Sequence, residues 1–419
     1  MDINARIEKV VEGYREEALS LLQSLVHIPS LAGYEKPCQN IVASKMKEIG
    51  LEVDVFDPPD EELKKHKGYV PVDMSYKDRP NVVGTYHGEG GGKSLILNGH
   101  VDVVPIGPES YWTYSPWSGK YVDGKVYGRG SSDMKAGVVS NLIAVQVLKS
   151  MDIKLKGNLI VETVVDEELG GNGTLACVLR GYKADGCIFT EPSGLDNIGI
   201  ANRGAQYFRI IVPGTEGGTE YKHDLVNPIQ KAMEVFQAVE AYSIMRESTV
   251  SHPLYDSFYN TKVPLGICVI KGGELPSTVS SQCVMEGTIE CLPNEDIQKV
   301  KADFKAYLDE WSAKDPWFKD HPIKLEWFGL WFESAEIAPE NPLVVNLAGK
   351  VKAFLNKTPI IAGAGGCDLR IPVKYGNTPA VLFGPSGGKV HSVDEYVDFE
   401  EVMAVVKILV SFAIDWCGI

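Results

Sequence analysis

The sequence predicts an α/β protein with a mainly parallel sheet and helices on both faces, plus a smaller inserted α+β unit. Strand-like and helix-like segments alternate up to about Glu191, as in folds that connect parallel strands through helices. Ligand-type residues follow several strand-like runs, and the carboxyl ends of parallel strands are where such folds place their sites. A length of 419 residues is too great for one ordinary core and indicates two domains.

The second domain is predicted because the order of helix-like and strand-like segments changes between about Gly204 and Gly329. Its predicted elements are amphipathic helices over 227–242 and 294–311, and strands over 207–212, 265–271, 282–291 and 323–327. We therefore predict a discontinuous first domain, residues 1–203 and 330–419, interrupted by a second domain, residues 204–329.

His100 and Asp102 end the apolar run 94–99. Residues two apart on a strand share a face, so the imidazole and the carboxylate can reach one cleft. The carboxylate can hold one ring nitrogen while the other binds a metal. An ordinary polar strand end has the same pattern, and only the other segments distinguish the two interpretations.

A glycine-rich turn, 128–137, opens a segment that is apolar around most of its circumference and is predicted as a buried helix. Asp133 lies near the N-terminus of this helix. Its carboxylate can cap the helix or serve as a ligand, and this segment alone is compatible with both.

Acidic residues end two further strand-like runs. Asp166, Glu167 and Glu168 follow the β-branched run 158–165, and Glu191 follows a shorter run. Adjacent carboxylates repel one another unless water or a cation intervenes. This segment is therefore either a solvated acidic loop or part of a cation site.

His391 follows a glycine-rich segment, 384–388, which can fold closely around a site. It completes a set of imidazoles and carboxylates carried to strand ends. Zinc accepts both kinds of ligand, and two ions about 3.5–4 Å apart can share one carboxylate. The sequence therefore predicts two adjacent Zn²⁺ ions per subunit, with Co²⁺ or Mn²⁺ as other metals that these ligands accept.

These motifs resemble a family of zinc-dependent aminoacylases, acetylornithine deacetylases, succinyl-diaminopimelate desuccinylases and carboxypeptidases G. The resemblance runs from about Ile28 to Val397. Its motifs are 99–105, Trp117, 123–130, 133–137, 166–168, Gly384-Pro385, His391 and Glu395-Tyr396. It implies a zinc-peptidase-like fold in which the inserted unit is a lid and dimerisation domain, and hence a homodimer.

The resemblance also implies the ligand set. His100 and Glu191 would hold one zinc, Glu168 and His391 the other, and Asp133 would bridge them.

The remaining roles are likewise implied by the resemblance. Asp102 would orient His100, and the Asp133–Met134 peptide bond would be cis. Glu167 would act as general base, taking a proton from water as it attacks an amide carbon and returning it to the leaving amine. No Ser, Cys or Thr nucleophile is required.

The second domain departs from the family at several positions, including Glu290, where many relatives carry arginine, and Ser277, where relatives often have asparagine; the departure that bears on catalysis is the loss of a histidine. In the family, a histidine of the partner subunit's smaller domain supplies a further donor to the developing oxyanion. This chain has Gly218 at that position, while Asn227 keeps the expected helix start. His223 is the candidate replacement, and a surface loop histidine is the alternative.

Substrate recognition has few candidates in the sequence. Arg370 can grip a carboxylate through two parallel hydrogen bonds or form an internal ion pair with Asp368. Arg203, at the predicted hinge between the domains, is a second candidate, with a structural role as the favoured alternative. Gly365 lies in a glycine-rich segment that would let the backbone approach a ligand.

Composition excludes several partners. A net charge of −15 argues against nucleic acid and anionic membranes. No apolar run is long enough to span a membrane, and the N-terminus lacks the apolar core of a signal peptide. The eight cysteines have no paired spacing and suggest free thiols in a reducing compartment, so we predict a cytoplasmic protein.

Together these observations predict a two-zinc amidohydrolase that hydrolyses an N-acyl amino acid, a small-molecule amide with a carboxylate. A dipeptidase or carboxypeptidase would share all the metal residues. A non-catalytic metal- or ligand-binding protein on the same scaffold is the other alternative, disfavoured because Glu167 is retained beside the ligands.

Overall fold

The chain divides into two compact units. The computed structural model describes residues 3–419. Unit 1 comprises the residues up to Ala201 together with Glu336–Ile419, and unit 2 comprises Asn202–Ala335.

The strands, in chain order, are Glu52–Phe56 (β1), Asn81–Tyr86 (β2), Leu95–His100 (β3), Lys120–Val122 (β4), Lys125–Tyr127 (β5), Leu159–Val164 (β6), Cys187–Phe189 (β7), Asn197–Asn202 (β8), Gly204–Pro213 (β9), Gly217–Gly218 (β10), Leu265–Gly272 (β11), Thr278–Val279 (β12), Gln282–Cys291 (β13), Lys324–Phe332 (β14), Ala335–Glu336 (β15), Ile360–Ala364 (β16), Ala380–Leu382 (β17), Gly387–Gly388 (β18) and Tyr396–Asp398 (β19). The helices are Ile3–Glu12 (α1), Arg15–Val26 (α2), Lys36–Ile49 (α3), Asp60–Leu63 (α4), Ala136–Ser150 (α5), Asn172–Leu179 (α6), Pro228–Thr249 (α7), Ile297–Ser312 (α8), Pro316–Asp320 (α9), Pro342–Leu355 (α10), Arg370–Tyr375 (α11) and Phe399–Cys417 (α12).

The large sheet has the order β1-β2-β6-β3-β7-β17-β8-β15, with β16 pairing β8. Its centre, β6-β3-β7-β17, is parallel. Strand β1 is antiparallel to β2, β2 to β6, and β8 to β17. Every residue of β3 and β6 is buried, as is typical of central parallel strands covered on both faces. The predicted fold class is confirmed, with parallel pairing concentrated at the centre of the sheet.

Two buried helices pack together in unit 1. Nearly all residues of α5 are buried, which explains why its sequence is apolar around most of the circumference. It packs against the C-terminal α12, which also contacts α1 and α10. Asp398 begins α12 by accepting a hydrogen bond from the backbone N–H of Glu400.

A second, small antiparallel sheet of unit 1 has the order β18-β19-β5-β4. It joins the segment before the glycine-rich turn, through β5, to the segment after His391, through β19. Two stretches far apart in sequence are thereby held side by side.

Unit 2 is built on the antiparallel sheet β11-β13-β9-β14. Its core is formed between this sheet and helices α7, α8 and α9, and Phe208 and Phe304 lie at its centre with ring centroids 5.2 Å apart. The helices and strands predicted in this region are all present, although α7 runs on to Thr249. Among residues 3–419, no helix combines the length and apolarity needed to cross a membrane.

Candidate metal centre

Two histidines and four acidic residues converge at the carboxyl edge of the parallel strands. His100 ends β3, Glu167 and Glu168 follow β6, and Glu191 follows β7. Because these strands are parallel neighbours, their ends meet at one edge of the sheet.

Asp133 reaches the same place from a tight turn, Ser131–Lys135, in which Asp133 and Met134 have non-helical backbone angles. The Asp133–Met134 peptide bond is cis, which confirms the expectation from the family resemblance. His391 reaches it from the loop between β18 and β19, where its φ is +58°.

Asp133 presents one carboxylate oxygen to each histidine. Its Oδ1 lies 3.0 Å from Nε2 of His100, and its Oδ2 lies 3.2 Å from Nε2 of His391. Nε2 of His391 is also 3.1 Å from Oε2 of Glu168. This arrangement suits a carboxylate that bridges two cations.

Around His100, two glutamates are equally near. Its Nε2 lies 3.8 Å from Oε1 of Glu191 and 3.9 Å from Oε2 of Glu167. The distances alone therefore do not separate the predicted ligand Glu191 from the predicted base Glu167.

The donor set fits divalent metal. His100 with Asp133 and Glu168, and His100 with Glu167 and Glu191, each offer ligand atoms within 4.8 Å of one another. Oε1 of Glu168 is buried without a hydrogen-bond partner, which is costly for a carboxylate oxygen unless a cation receives it. Mixed imidazole and carboxylate ligands suit zinc.

Charge and burial strongly shift the pKa values of the carboxyl and imidazole groups in the cluster. Burial and the nearby charge of Asp368 hold the pKa of Glu167 well above its usual range. Hydrogen bonds to Asp133 and Glu168 raise the pKa of His391 to about 10. Burial opposes ionisation of Asp133, but hydrogen bonds from both histidines hold its pKa below its usual range. So many crowded charges are what a bound cation would compensate.

Asp102 contacts His100 mainly through its backbone oxygen. Nδ1 of His100 is 2.9 Å from the backbone oxygen of Asp102 but 3.6 Å from its carboxylate. The carboxylate instead accepts hydrogen bonds from the backbone N–H groups of Glu167 (3.3 Å) and Glu168 (3.1 Å). The backbone of Asp102 orients His100, and its side chain holds the acidic turn.

Asp368 is the site residue that sequence reasoning missed. Burial is the largest cause of the raised pKa values of Glu167 and Glu191, and the charge of Asp368 raises both pKa values further. Oγ1 of Thr174 donates to it at 2.5 Å. The sequence marked Asp368 only as a partner of Arg370, and no local pattern indicated that it faces the cluster.

Arg370 is engaged inside the protein. It is 3% exposed. Its guanidinium donates to the backbone oxygens of Gly170 (2.7 Å) and Cys367 (3.2 Å) and lies 3.6 Å from Asp368. These contacts are those of the internal ion pair that the sequence left open. Gly365 is partly exposed, and a Cβ there would meet no protein atom within 4 Å.

In unit 2, His223 is exposed after the helical turn Thr219–Tyr221. Gly218 forms part of β10, and a Cβ at this position would lie 2.3 Å from a carboxylate oxygen of Glu220. A side chain at position 218 would therefore require the exposed side chain of Glu220 to move. Asn227 begins α7 as predicted, with its side chain accepting from the N–H of Ile229 at 2.9 Å.

Comparison with known proteins gives consistent matches. Residues 96–415 match the model described as peptidase family M20/M25/M40. A curated relative, N-formyl-4-amino-5-aminomethyl-2-methylpyrimidine deformylase from Bacillus subtilis (strain 168), is 28% identical and aligns over 98% of this chain and 97% of its own.

Solved structures share the fold over nearly the whole length. Human carnosine dipeptidase 1 superposes with a TM-score of 0.76 at 15% identity, covering 100% of this chain and 99% of its own. A dinuclear metal-binding peptidase of family M20 from Bacillus subtilis superposes with a TM-score of 0.64 at 15% identity, covering 97% and 99%.

Proposed function

The chain belongs to peptidase family M20/M25/M40, and from this premise we propose that it is a two-zinc hydrolase removing a small acyl group from an N-acylated amine. The chain is an amide-bond hydrolase of deacylase type, in keeping with its deformylase relatives. The observation that carries the proposal is the position of Asp133, with one carboxylate oxygen toward each histidine beside Glu167.

We propose that His100 and Glu191 hold one zinc, that Glu168 and His391 hold the other, and that Asp133 bridges them. Bound zinc would polarise the amide and acidify water. Glu167 then accepts a proton at its carboxylate and returns it to the leaving amine. Burial and the charge of Asp368 raise the pKa of Glu167 above its usual range, and a carboxylate with a raised pKa is a stronger base toward water, which supports this role.

The substrate proposal is an N-acyl amine that need not carry a carboxylate. Both arginines that the sequence offered for a carboxylate have internal partners: Arg370 has backbone oxygens, and Arg203 contacts Glu290 at 3.3 Å and lies over the ring of Tyr259. The B. subtilis relative is named for a formylated aminomethylpyrimidine. We infer that N-formyl aminomethyl heterocycles are substrates, with N-acyl amino acids as the second class to compare.

The test is hydrolysis of three substrate classes by zinc-loaded and chelator-stripped protein. N-formyl aminomethylpyrimidine should be hydrolysed fastest, N-acetyl amino acids more slowly and dipeptides least, with activity lost on stripping and regained with zinc. Preference for dipeptides would replace the deacylase proposal by the peptidase alternative. Turnover unaffected by stripping would contradict the metal centre.

We also propose a cytoplasmic homodimer formed through unit 2. Strand β11 is an edge strand, and Ile270 on it is 54% exposed. Ile229 and Met233 of α7 are exposed as well, and Ile229 lies beside Gly272 of β11. An apolar edge strand is a template for pairing, and a second copy of the same strand satisfies it by two-fold symmetry. The eight unpaired cysteines support the reducing compartment.

Light scattering coupled to gel filtration tests the dimer. Ile270→Asp should yield monomers with native circular dichroism, whereas Val345→Asp, at an equally exposed position of unit 1, should leave the oligomeric state unchanged. A wild-type monomer would refute the dimer without touching the metal centre.

A further inference from the structure

A buried ion pair lies directly behind Asp133. Nη1 of Arg129 is 2.6 Å from Oε2 of Glu395, and the two residues are 2% and 0% exposed. The pair contains neither a proposed ligand nor the proposed base. Removing two charges from water costs hydration free energy, so the buried Arg129–Glu395 pair requires favourable contacts for both partners.

The second oxygen of Glu395 holds the backbone of the Asp133 turn. Its Oε1 accepts hydrogen bonds from the N–H of Ser132 at 3.0 Å and from the N–H of Asp133 at 3.1 Å. The carboxylate of Asp102 also accepts from two consecutive N–H groups, those of Glu167 and Glu168, although with a different oxygen for each. The Asp133 turn and the Glu167–Glu168 turn are thus each held by one buried carboxylate through two consecutive backbone N–H groups.

The pair also connects this turn to the loop that carries His391. Glu395 lies four residues after His391, and its backbone oxygen accepts from the N–H of Gly128 at 2.9 Å. The neighbouring Asp394 accepts from the N–H and the hydroxyl of Thr113 at 2.6 Å and 2.9 Å. His391 and Asp394 both have positive φ, a region that L-residues disfavour, so tertiary contacts must impose this loop conformation.

Arg129 fixes the other end of the pair. Its Nη2 donates to the backbone oxygen of Pro105 at 3.2 Å, in the segment that follows His100. Its guanidinium carbon lies 5.4 Å from the centre of the Trp112 ring. Arg129 therefore touches the segment leaving β3, while Glu395 touches the Asp133 turn and belongs to the His391 loop.

We propose that Glu395, balanced by Arg129, is a positioning residue that sets Asp133 and His391 relative to each other and thereby determines metal affinity. The inference rests on the proposed metal centre. Position 395 requires a carboxylate, because one oxygen must accept hydrogen bonds from two N–H donors while the other accepts from a guanidinium. Glutamine cannot satisfy both sides, because its amide NH₂ would point either at the guanidinium or at the two N–H groups.

The test measures zinc affinity by competition with a chromophoric chelator and counts bound zinc after gel filtration. Outer contacts that orient metal ligands are worth roughly 10- to 100-fold in affinity, so Glu395→Gln should weaken zinc binding by about that factor. The double variant Glu395→Gln with Arg129→Gln should recover part of the loss, because the introduced amide then no longer faces a guanidinium donor and its oxygen is free to accept both N–H groups.

Glu401→Gln is the matched control. The carboxylate of Glu401 accepts from the N–H and the hydroxyl of Ser386 at 2.8 Å and 3.0 Å, in the glycine-rich segment before His391, yet it does not contact the Asp133 turn. The Glu401→Gln variant should leave zinc affinity unchanged, even if its midpoint of urea unfolding falls as far as that of Glu395→Gln.

Folded Glu395→Gln protein with wild-type zinc affinity would overturn the inference. If this variant does not fold, Arg129→Lys keeps the charges balanced but loses the planar fork, and it should weaken zinc binding in the same direction. Wild-type affinity in Arg129→Lys would then overturn the inference. Wild-type protein that binds no zinc would instead refute the proposed function.

Discussion

His100 and His391 approach Asp133 from two sides that are built differently. The side chain of His100 is 1% exposed at the end of a fully buried central strand, and the backbone oxygen of Asp102 holds its Nδ1. The side chain of His391 is 51% exposed and comes from a loop with positive φ. The half of the proposed metal centre that contains His100, the sheet-borne half, is built into the sheet. The half that contains His391, the loop-borne half, depends on contacts that tether a loop.

This difference has a consequence for metal binding. A ligand whose second nitrogen is fixed by a hydrogen bond loses less freedom on coordination and binds more tightly. The sheet-borne half should therefore act as the tight site and the loop-borne half as the exchangeable one. The following experiments, ordered by the size of the expected effect, test this contrast.

The largest effect is expected at Glu167, in the sheet-borne half. Glu167→Gln removes the proton acceptor while preserving volume, so kcat should fall by about 10²- to 10⁴-fold. Bound zinc, counted by metal analysis, should stay at the wild-type value. Loss of one zinc equivalent would instead make Glu167 a ligand, which its 3.9 Å distance to His100 also allows.

Replacing each histidine tests the contrast directly. His100→Ala should abolish tight zinc binding, because it removes the imidazole that is proposed to hold the tightly bound zinc together with Glu191. His391→Ala should retain about one equivalent of tightly held zinc and lose the second. Equal losses in the two variants, measured by chelator competition, would show that the halves are equivalent.

A third imidazole, His223, belongs to neither half. If it supplies the oxyanion donor, His223→Ala should lower kcat by about 10²-fold with unchanged zinc content, the usual effect of removing one such donor. His321→Ala, an exposed histidine of unit 2, is the control. An unchanged kcat in His223→Ala would make it a surface loop residue.

The smallest effect concerns the stability of the sheet beneath the sheet-borne half. Glu162 of β6 accepts from Nδ2 of Asn98 on β3 at 2.8 Å, and burial raises its pKa to about 7. The folded state thus binds the proton more tightly than the unfolded chain. This contribution to stability is full below about pH 4.5 and is lost as the pH rises toward 7.

Glu162→Gln should therefore raise the free energy of unfolding by on the order of 2 kcal/mol at pH 8 and by little at pH 5. Urea unfolding at the two pH values measures the difference. Glu61→Gln, whose side chain is 79% exposed, should show no such pH dependence. A gain of equal size at both pH values would contradict ionisation as the cause.

The sequence predicted the parts of the site that follow from local periodicity. Strand ends can be recognised from apolar runs, and parallel strands bring their carboxyl ends together. Local patterns alone therefore place His100, Glu167, Glu168 and Glu191 at one edge of the sheet. Asp133 and His391 depended in addition on the family resemblance, because a capping aspartate and a glycine-rich loop have no unique tertiary position.

Other features were settled only by the tertiary structure. Arg370 turns inward to Gly170, the charge of Asp368 raises the pKa of Glu167, and Glu395 reaches the backbone of Asp133 across 262 residues of sequence. Side-chain periodicity specifies which face of an element a residue occupies, but not which distant loop meets that face. That choice depends on the packing of the whole chain, because buried charges settle only where partners from several segments satisfy them together.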